Sequence, residues 1–297
     1  MTNIIMRPVF NRPEMLKLSL EYEIEARKKS GLVNDEFTTL FVVEHSAPEE
    51  TLQLLRSYPY KKIGIKRSKK HGLSINILTG MQQAFEQTDT YVIYIEDDIL
   101  IHSTYFEYMN KVMDMFKNEK VSVFASYTPV ENNNINAVYK GHHYGALAPL
   151  ITKYFFENYI NPHIKPAYYT SFATRSKYVN ELNMKYKDYW GKKYKYKNTV
   201  HNEQAGLINR LVDVALIEEN MPMVLPRVDR QQHIGYFGKN RPGGIIPGNS
   251  FDERVKNLRN IITDANKMYT MSATKQYNDY RVFKPELNNW DGNLYVK

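Results

Sequence analysis

The 297-residue chain contains no cysteine. That absence removes disulfides, thiolate metal ligands and cysteine nucleophiles together, so any metal must rest on oxygen or imidazole ligands. No apolar run approaches the roughly 20 residues that cross a bilayer. The first strand-like residues, Ile4-Ile5-Met6, do not follow a signal peptide's basic start and apolar block, and a cytoplasmic protein is expected. Acidic residues are in deficit, 32 Asp and Glu against 40 Lys and Arg, a formal charge of +8. That surplus suits a polyanionic partner, or merely the phosphates of a small ligand. Apolar residues at 42% and charged residues at 24% are near the globular average, which excludes wholesale disorder and fibrous architecture.

The first 125 or so residues alternate short apolar runs with segments of helical period, the pattern of a mainly parallel sheet covered by helices. Strands are predicted from Asn3 to Met6, Phe37 to Val43, Lys61 to Lys66, Tyr91 to Ile95 and Val121 to Ala125. Between them Met15, Leu18, Tyr22 and Ala26 share one helical face, as do Leu78, Met81 and Phe85, and then Phe106, Met109, Met113 and Phe116. The turn Glu131-Asn132-Asn133-Asn134 ends that rhythm. A helix from Asn202 to Leu211 and a strand from Val214 to Ile217 are predicted beyond it. The Gly/Pro-rich stretch from His233 to Pro247 is too long for a mere connection and has the length of a lid. Ser250 and Glu253 stand at capping-box spacing before a helix carrying Val255, Leu258 and Ile262. The polar last 25 or so residues are expected to wrap the surface. One domain in three stretches follows: 1–125, 126–250, and a helix and tail over 251–297.

The most informative segment is Tyr91-Val-Ile-Tyr-Ile-Glu96-Asp97-Asp98. Strand formers run straight into three carboxylates, and in an open α/β sheet ligands collect beyond the carboxyl ends of the strands. Adjacent carboxylates repel one another and are relieved by a cation, for which a metal–diphosphate is the obvious candidate. The alternative is three solvated turn residues near a helix N-terminus.

The segment Ile95-Glu96-Asp97-Asp98-Ile99, followed by Tyr105-Phe106-Glu107-Tyr108, resembles the signature and following aromatic helix of inverting GT-A glycosyltransferases, the group of N-acetylglucosaminyltransferase I. The resemblance implies a GT-A fold: a Rossmann-like, mainly parallel sheet flanked by helices, with a nucleotide-sugar half at 1–125 and an irregular acceptor-binding half at 126–250. It implies transfer of a sugar from a nucleotide-sugar donor, a UDP-sugar first, with Mn²⁺ or Mg²⁺. By the same likeness Asp98 is a metal ligand, and Glu96 and Asp97 hold ribose, sugar or metal-bound water. Arg12, in Asn11-Arg12-Pro13, and Glu44, in Val42-Val43-Glu44-His45-Ser46, fall where the donor nucleotide is touched. His71 lies in the segment from Lys66 to Ile77 that lines the donor pocket.

The reaction needs a group to take the acceptor hydroxyl's proton. By its place in the resemblance this is Glu203, with His201 and Asp188 as alternatives; a helix N-terminal glutamate placed by the dipole is the plainer reading. Gln231-Gln232-His233-Ile234-Gly235 resembles the segment that closes over the donor, making His233 a metal or phosphate contact or else a structural histidine. Lys239 and Arg241 stand where they would neutralise the departing diphosphate, or serve solubility. Lys192, Lys193, Lys195 and Lys197 alternate with aromatics in a way that suits nucleic-acid phosphates and stacking, or a surface loop. The expected acceptor is a hydroxymethylated base in DNA, as in viral DNA modification. The alternatives are a surface glycan or lipid-linked saccharide, or a non-catalytic protein that binds nucleotide or DNA.

Overall fold

The structure is a computed structural model that describes residues 3–31, 36–70, 72–129, 132–142, 144–145, 147–186, 200–235, 237, 245–264 and 281–297. Four strands, β1 (Asn3–Val9), β2 (Phe37–Val43), β3 (Lys62–Lys66) and β4 (Tyr91–Tyr94), pair in parallel in the order β3-β2-β1-β4. Helices α1 (Pro13–Lys29), α2 (Glu49–Ser57) and α3 (Leu73–Phe85) make the crossovers. Every residue of β2 is buried, and all of β1 but Asn3. Burial on both faces is why these strands read as unbroken apolar runs.

One charge interrupts β1. Arg7 is fully buried, and Glu23 from α1 meets its Nε at 2.6 Å while Ser19 Oγ accepts from Nη1 at 3.0 Å. Glu23 also pairs with Arg27 at 3.0 Å. Burial would raise the Glu23 carboxyl, but the two guanidiniums and the Tyr58 hydroxyl hold it below its usual value. The network locks α1 over β1 and β2.

After β5 (Ile99–Ile101) and α4 (Tyr105–Met115) come β6 (Val123–Phe124), β7 (Ala137–Gly141), β8 (Leu150–Thr152) and the helical turn α5 (Lys153–Phe155). Then follow α6 (Phe172–Lys185), α7 (Val200–Glu218), β9 (Met223–Pro226), β10 (Gln231–His233), α8 (Phe251–Ile262) and β11 (Tyr295–Val296). Among the described residues the main sheet has nine strands in the order β11-β7-β9-β6-β8-β4-β1-β2-β3. β8 runs antiparallel to both β4 and β6 and joins the parallel half to the rest. Among the described residues no helix is long and apolar enough to cross a membrane.

Two expectations are corrected. Val214 to Ile217 is no strand but the last turns of α7. Leu207, Ile208, Leu211, Val212 and Ala215 repeat at helical spacing and bury with Leu78 and Met81 of α3, and that packing overrides β-branched propensity. The final residues do more than wrap the surface: β11 pairs in parallel with β7 and extends the main sheet, while Leu287 and Trp290 are buried. The predicted N-cap at α8 is present, with Ser250 Oγ accepting from Glu253 N at 3.2 Å, while the Glu253 carboxylate accepts from Asn249 N at 2.8 Å, one residue before the cap.

Candidate active site

β1 and β4 are adjacent and parallel, so the loops after them open on the same edge of the sheet. The β1–α1 loop carries Arg12, and Pro13 starts α1 where its missing N–H costs nothing. The loop after β4 carries Glu96, Asp97 and Asp98. Arg12 Nη1 donates to Asp98 Oδ2 at 2.5 Å and Nη2 donates to Asp97 Oδ1. The expected nucleotide contact is therefore clamped to the acidic pair in this structure.

A third segment arrives from far along the chain. β10 pairs antiparallel with β5, in the register His233↔Ile99 and Gln231↔Ile101, and Ile234 N donates to Asp98 O at 2.9 Å. This ladder sets His233 Nε2 3.4 Å from Asp98 Oδ2. Gly235 closes the corner: a Cβ there would overlap Asp98 Oδ2 and stand 2.5 Å from His233 Nε2.

Asp97 and Asp98 are each only 3% exposed. Burial, then the charge of Asp98, pushes the Glu96 carboxyl up to about 7, against the Tyr94 hydroxyl that donates to it at 2.6 Å and against Arg12. Burial also raises Asp97, with Arg12 opposing. Burial would lower Arg12, yet Asp97, Asp98 and Glu96 outweigh it and hold the guanidinium above its usual value. Three carboxylates thus face one guanidinium, and the deficit of positive charge is what a divalent cation would make good.

The donor set fits such an ion. Asp98 Oδ2 and His233 Nε2, an oxygen and an imidazole nitrogen 3.4 Å apart, lie within reach of one ion with bonds of about 2.1 Å. Among the described residues no group of three or more His, Cys, Asp or Glu could hold a metal. Two protein ligands plus substrate oxygens is the habit of Mg²⁺-type sites on diphosphates.

Glu44 stands on the same edge at the end of β2, buried, and accepts from His45 N at 2.9 Å and Gly72 N at 3.0 Å, tying β2 to the start of α3. Glu203 lies in the first turn of α7, as does His201, with both side chains outside the described residues. His71, Asp188, Lys192, Lys193, Lys195, Lys197, Lys239 and Arg241 also lie outside them.

Two residues at the site, and one buried in α7, had escaped the sequence. Tyr94 reads only as a strand former, and Gly235 as a loop glycine. Asp213 of α7 is buried, accepts from Arg210 Nη1 at 2.9 Å and from Tyr144 N at 3.2 Å, and burial pushes its carboxyl up to about 7. A polar position on the buried face of a helical pattern was the available signal.

The sequence profile of Glycosyl transferase family 2 matches residues 4–182, and the chain belongs to that family. It has the mixed, mainly parallel α/β architecture of GT-A glycosyltransferases. No curated protein sequence matches it. Among solved structures it is similar to S. aureus TarS 1-349, at 12% identity and a TM-score of 0.41, over 53% of this chain and 49% of that one. The chain thus spans about half the length of TarS 1-349. It is also similar to the mannosyltransferase PcManGT from Pyrobaculum calidifontis in complex with GDP-Man and Mn²⁺, at 9% identity and 0.41, over 73% and 74%. A third is glucosyl-3-phosphoglycerate synthase from Mycobacterium tuberculosis with Mn²⁺ and UDP, at 11% and 0.32, over 52% and 58%.

Proposed function

We propose that this protein transfers a sugar from a nucleoside-diphosphate sugar, a UDP-sugar first, to an acceptor hydroxyl with inversion at the anomeric carbon. The observation that carries the reading is the meeting of Arg12, Asp97, Asp98 and His233 beyond the carboxyl ends of β1 and β4 in a family 2 chain. Asp98 and His233 would hold a divalent ion, which supplies positive charge to the diphosphate as it leaves. Arg12 orients the two aspartates and, on the donor's arrival, has a phosphate within its own class of partners. Glu203 takes the proton of the attacking hydroxyl.

The acceptor we propose is a hydroxymethylated base in DNA, in the cytoplasm, with Lys192, Lys193, Lys195 and Lys197 against its phosphates. The formal charge of +8 supports it. The experiment offers a panel of nucleotide sugars with Mn²⁺ and hydroxymethylated DNA, and reads the DNA by mass spectrometry. Asp98→Ala abolishes product and lowers Mn²⁺ affinity by calorimetry. Glu203→Gln keeps donor binding and lowers turnover about 10²–10⁴-fold, the range for losing a general base. Product on a glycan acceptor alone would overturn the DNA reading and leave the transferase reading standing; unchanged Mn²⁺ affinity in Asp98→Ala would overturn the metal site.

A further inference from the structure

From Thr51 to Phe85 the sequence contains no aspartate or glutamate and seven Lys and Arg, of which Arg56 pairs with Glu49 just before the stretch, against a net charge of +8 for the whole chain. The fold gathers this excess at one place. Among the described residues β3 is the last strand of the nine-stranded sheet and pairs only with β2, and four of its five residues are exposed. Lys61, Lys62, Lys66, Lys69 and Lys70 are all exposed along it and just beyond it. Lys62 donates to the carbonyls of Arg56 and Tyr58 at 2.6 and 2.7 Å, neutral partners that leave its charge in place. Among the described residues no carboxylate pairs with any of the five. Arg67 is buried behind them, donating to Asn76, Thr79 and Gln83 with the charge of Glu44 acting on it, and adds nothing to the exposed excess.

We infer that this edge is a docking surface for the phosphate backbone of duplex nucleic acid. Lys62, Gly64 and Lys66 alternate onto one face of the strand, and a Cβ on Gly64 would touch nothing, so that face is open between its two cations. At about 3.3 Å per residue Lys62 and Lys66 are about 13 Å apart. A duplex presents about eight phosphates over that length, one per ~1.7 Å of axis. Single strands are bound through stacking aromatics, and here Tyr58 is buried and Tyr60 half-buried. A bilayer surface would favour interfacial aromatics and apolar anchors, where the strand offers only Ile63, 38% exposed. Lysines on an edge strand also hinder sheet-to-sheet pairing, but that role predicts no salt-dependent binding of DNA. Docking here is independent of which hydroxyl accepts the sugar.

The test is fluorescence anisotropy of an unmodified 30-base-pair duplex, without donor or metal, titrated across salt concentrations. Replacing Lys61, Lys66, Lys69 and Lys70 with Gln flattens the slope of log affinity on log salt by about 3.6, at about 0.9 per phosphate contact. The double variant Lys61→Glu/Lys66→Glu, checked for an unchanged melting temperature, weakens binding further at low salt. A slope unchanged in both variants overturns the inference, as does wild-type binding to anionic phosphatidylserine vesicles with none to the duplex. Because the duplex carries no hydroxymethyl base, failure of the acceptor reading would leave this result untouched.

Discussion

At Gly235 the site leaves no room for even a methyl group. The residue has no need of a left-handed backbone, so the reason for glycine is the approach of Asp98 Oδ2 and His233 Nε2 to its Cα. Gly235→Ala is expected to leave the melting temperature within a few degrees while pushing the two donors apart. On the proposed metal site, Mn²⁺ affinity and turnover fall together, about tenfold or more, the loss usual when a support of metal ligands is misplaced. Calorimetric Mn²⁺ titration checks this, and unaltered affinity would show that the corner does not hold the ion. The acidic pair itself was legible in the sequence, because a buried apolar strand running into carboxylates is unusual chemistry. Its partner His233 was legible only through the family resemblance, as a metal or phosphate contact or else a structural histidine, since nothing local links it to a residue 135 positions earlier.

Helix α7 carries its own titrating group into the interior. Asp213 has its carboxyl pushed up to about 7 by burial, with Arg210 and the Tyr144 amide opposing. The folded state therefore keeps a proton that the unfolded chain gives up near pH 4. Stability from this group is present below about pH 4 and declines as pH rises toward 7, because ionising it in the folded state costs more than in the unfolded one. Asp213→Asn is expected to flatten the fall of melting temperature between about pH 4 and 7, read by thermal unfolding across that range. An identical profile would mean that Asp213 ionises freely. The same helix shows where local reading failed: Val214 and Ile217 favour strand by propensity, but the periodic face of Leu207, Leu211 and Ala215 decides.

Across the whole molecule, the C-terminal segment ties distant parts together. Arg281 Nη1 donates to Asp229 Oδ2 at 2.9 Å, Phe283 packs edge-on to His102 at 5.0 Å, and Tyr295 and Val296 pair with β7. The centre of the strap is Trp290, whose ring lies 4.3 Å from the buried guanidinium of Arg230, with Tyr108 on that group at 5.1 Å. Burial lowers Arg230 to about 10, and its Nη1 and Nη2 donate to Thr104 Oγ1 and Ile135 O at 3.0 and 2.5 Å. Arg230 immediately precedes β10, the strand that delivers His233. Trp290→Ala is expected to cost about 3–5 kcal/mol in urea denaturation, the usual loss for a buried large aromatic. Trp290→Phe retains part of that, and a cost below 1 kcal/mol for the alanine variant would show that the strap is peripheral.

Composition and local pattern by themselves determined the parallel β1–β4 half, the helices between its strands, the capped start of α8, and the acidic cluster at the end of β4. Each rests on contacts within a few residues, or on burial so complete that the strand reads as apolar throughout. The tertiary structure alone decided that Arg12 clamps Asp97 and Asp98, that β10 sets His233 against Asp98, that Gly235 must lack a side chain, and that lysines spread over ten residues line one open sheet edge. Those pairings depend on ladders and crossovers joining segments up to 134 residues apart, and periodicity along the chain carries no information about which strand lies beside which.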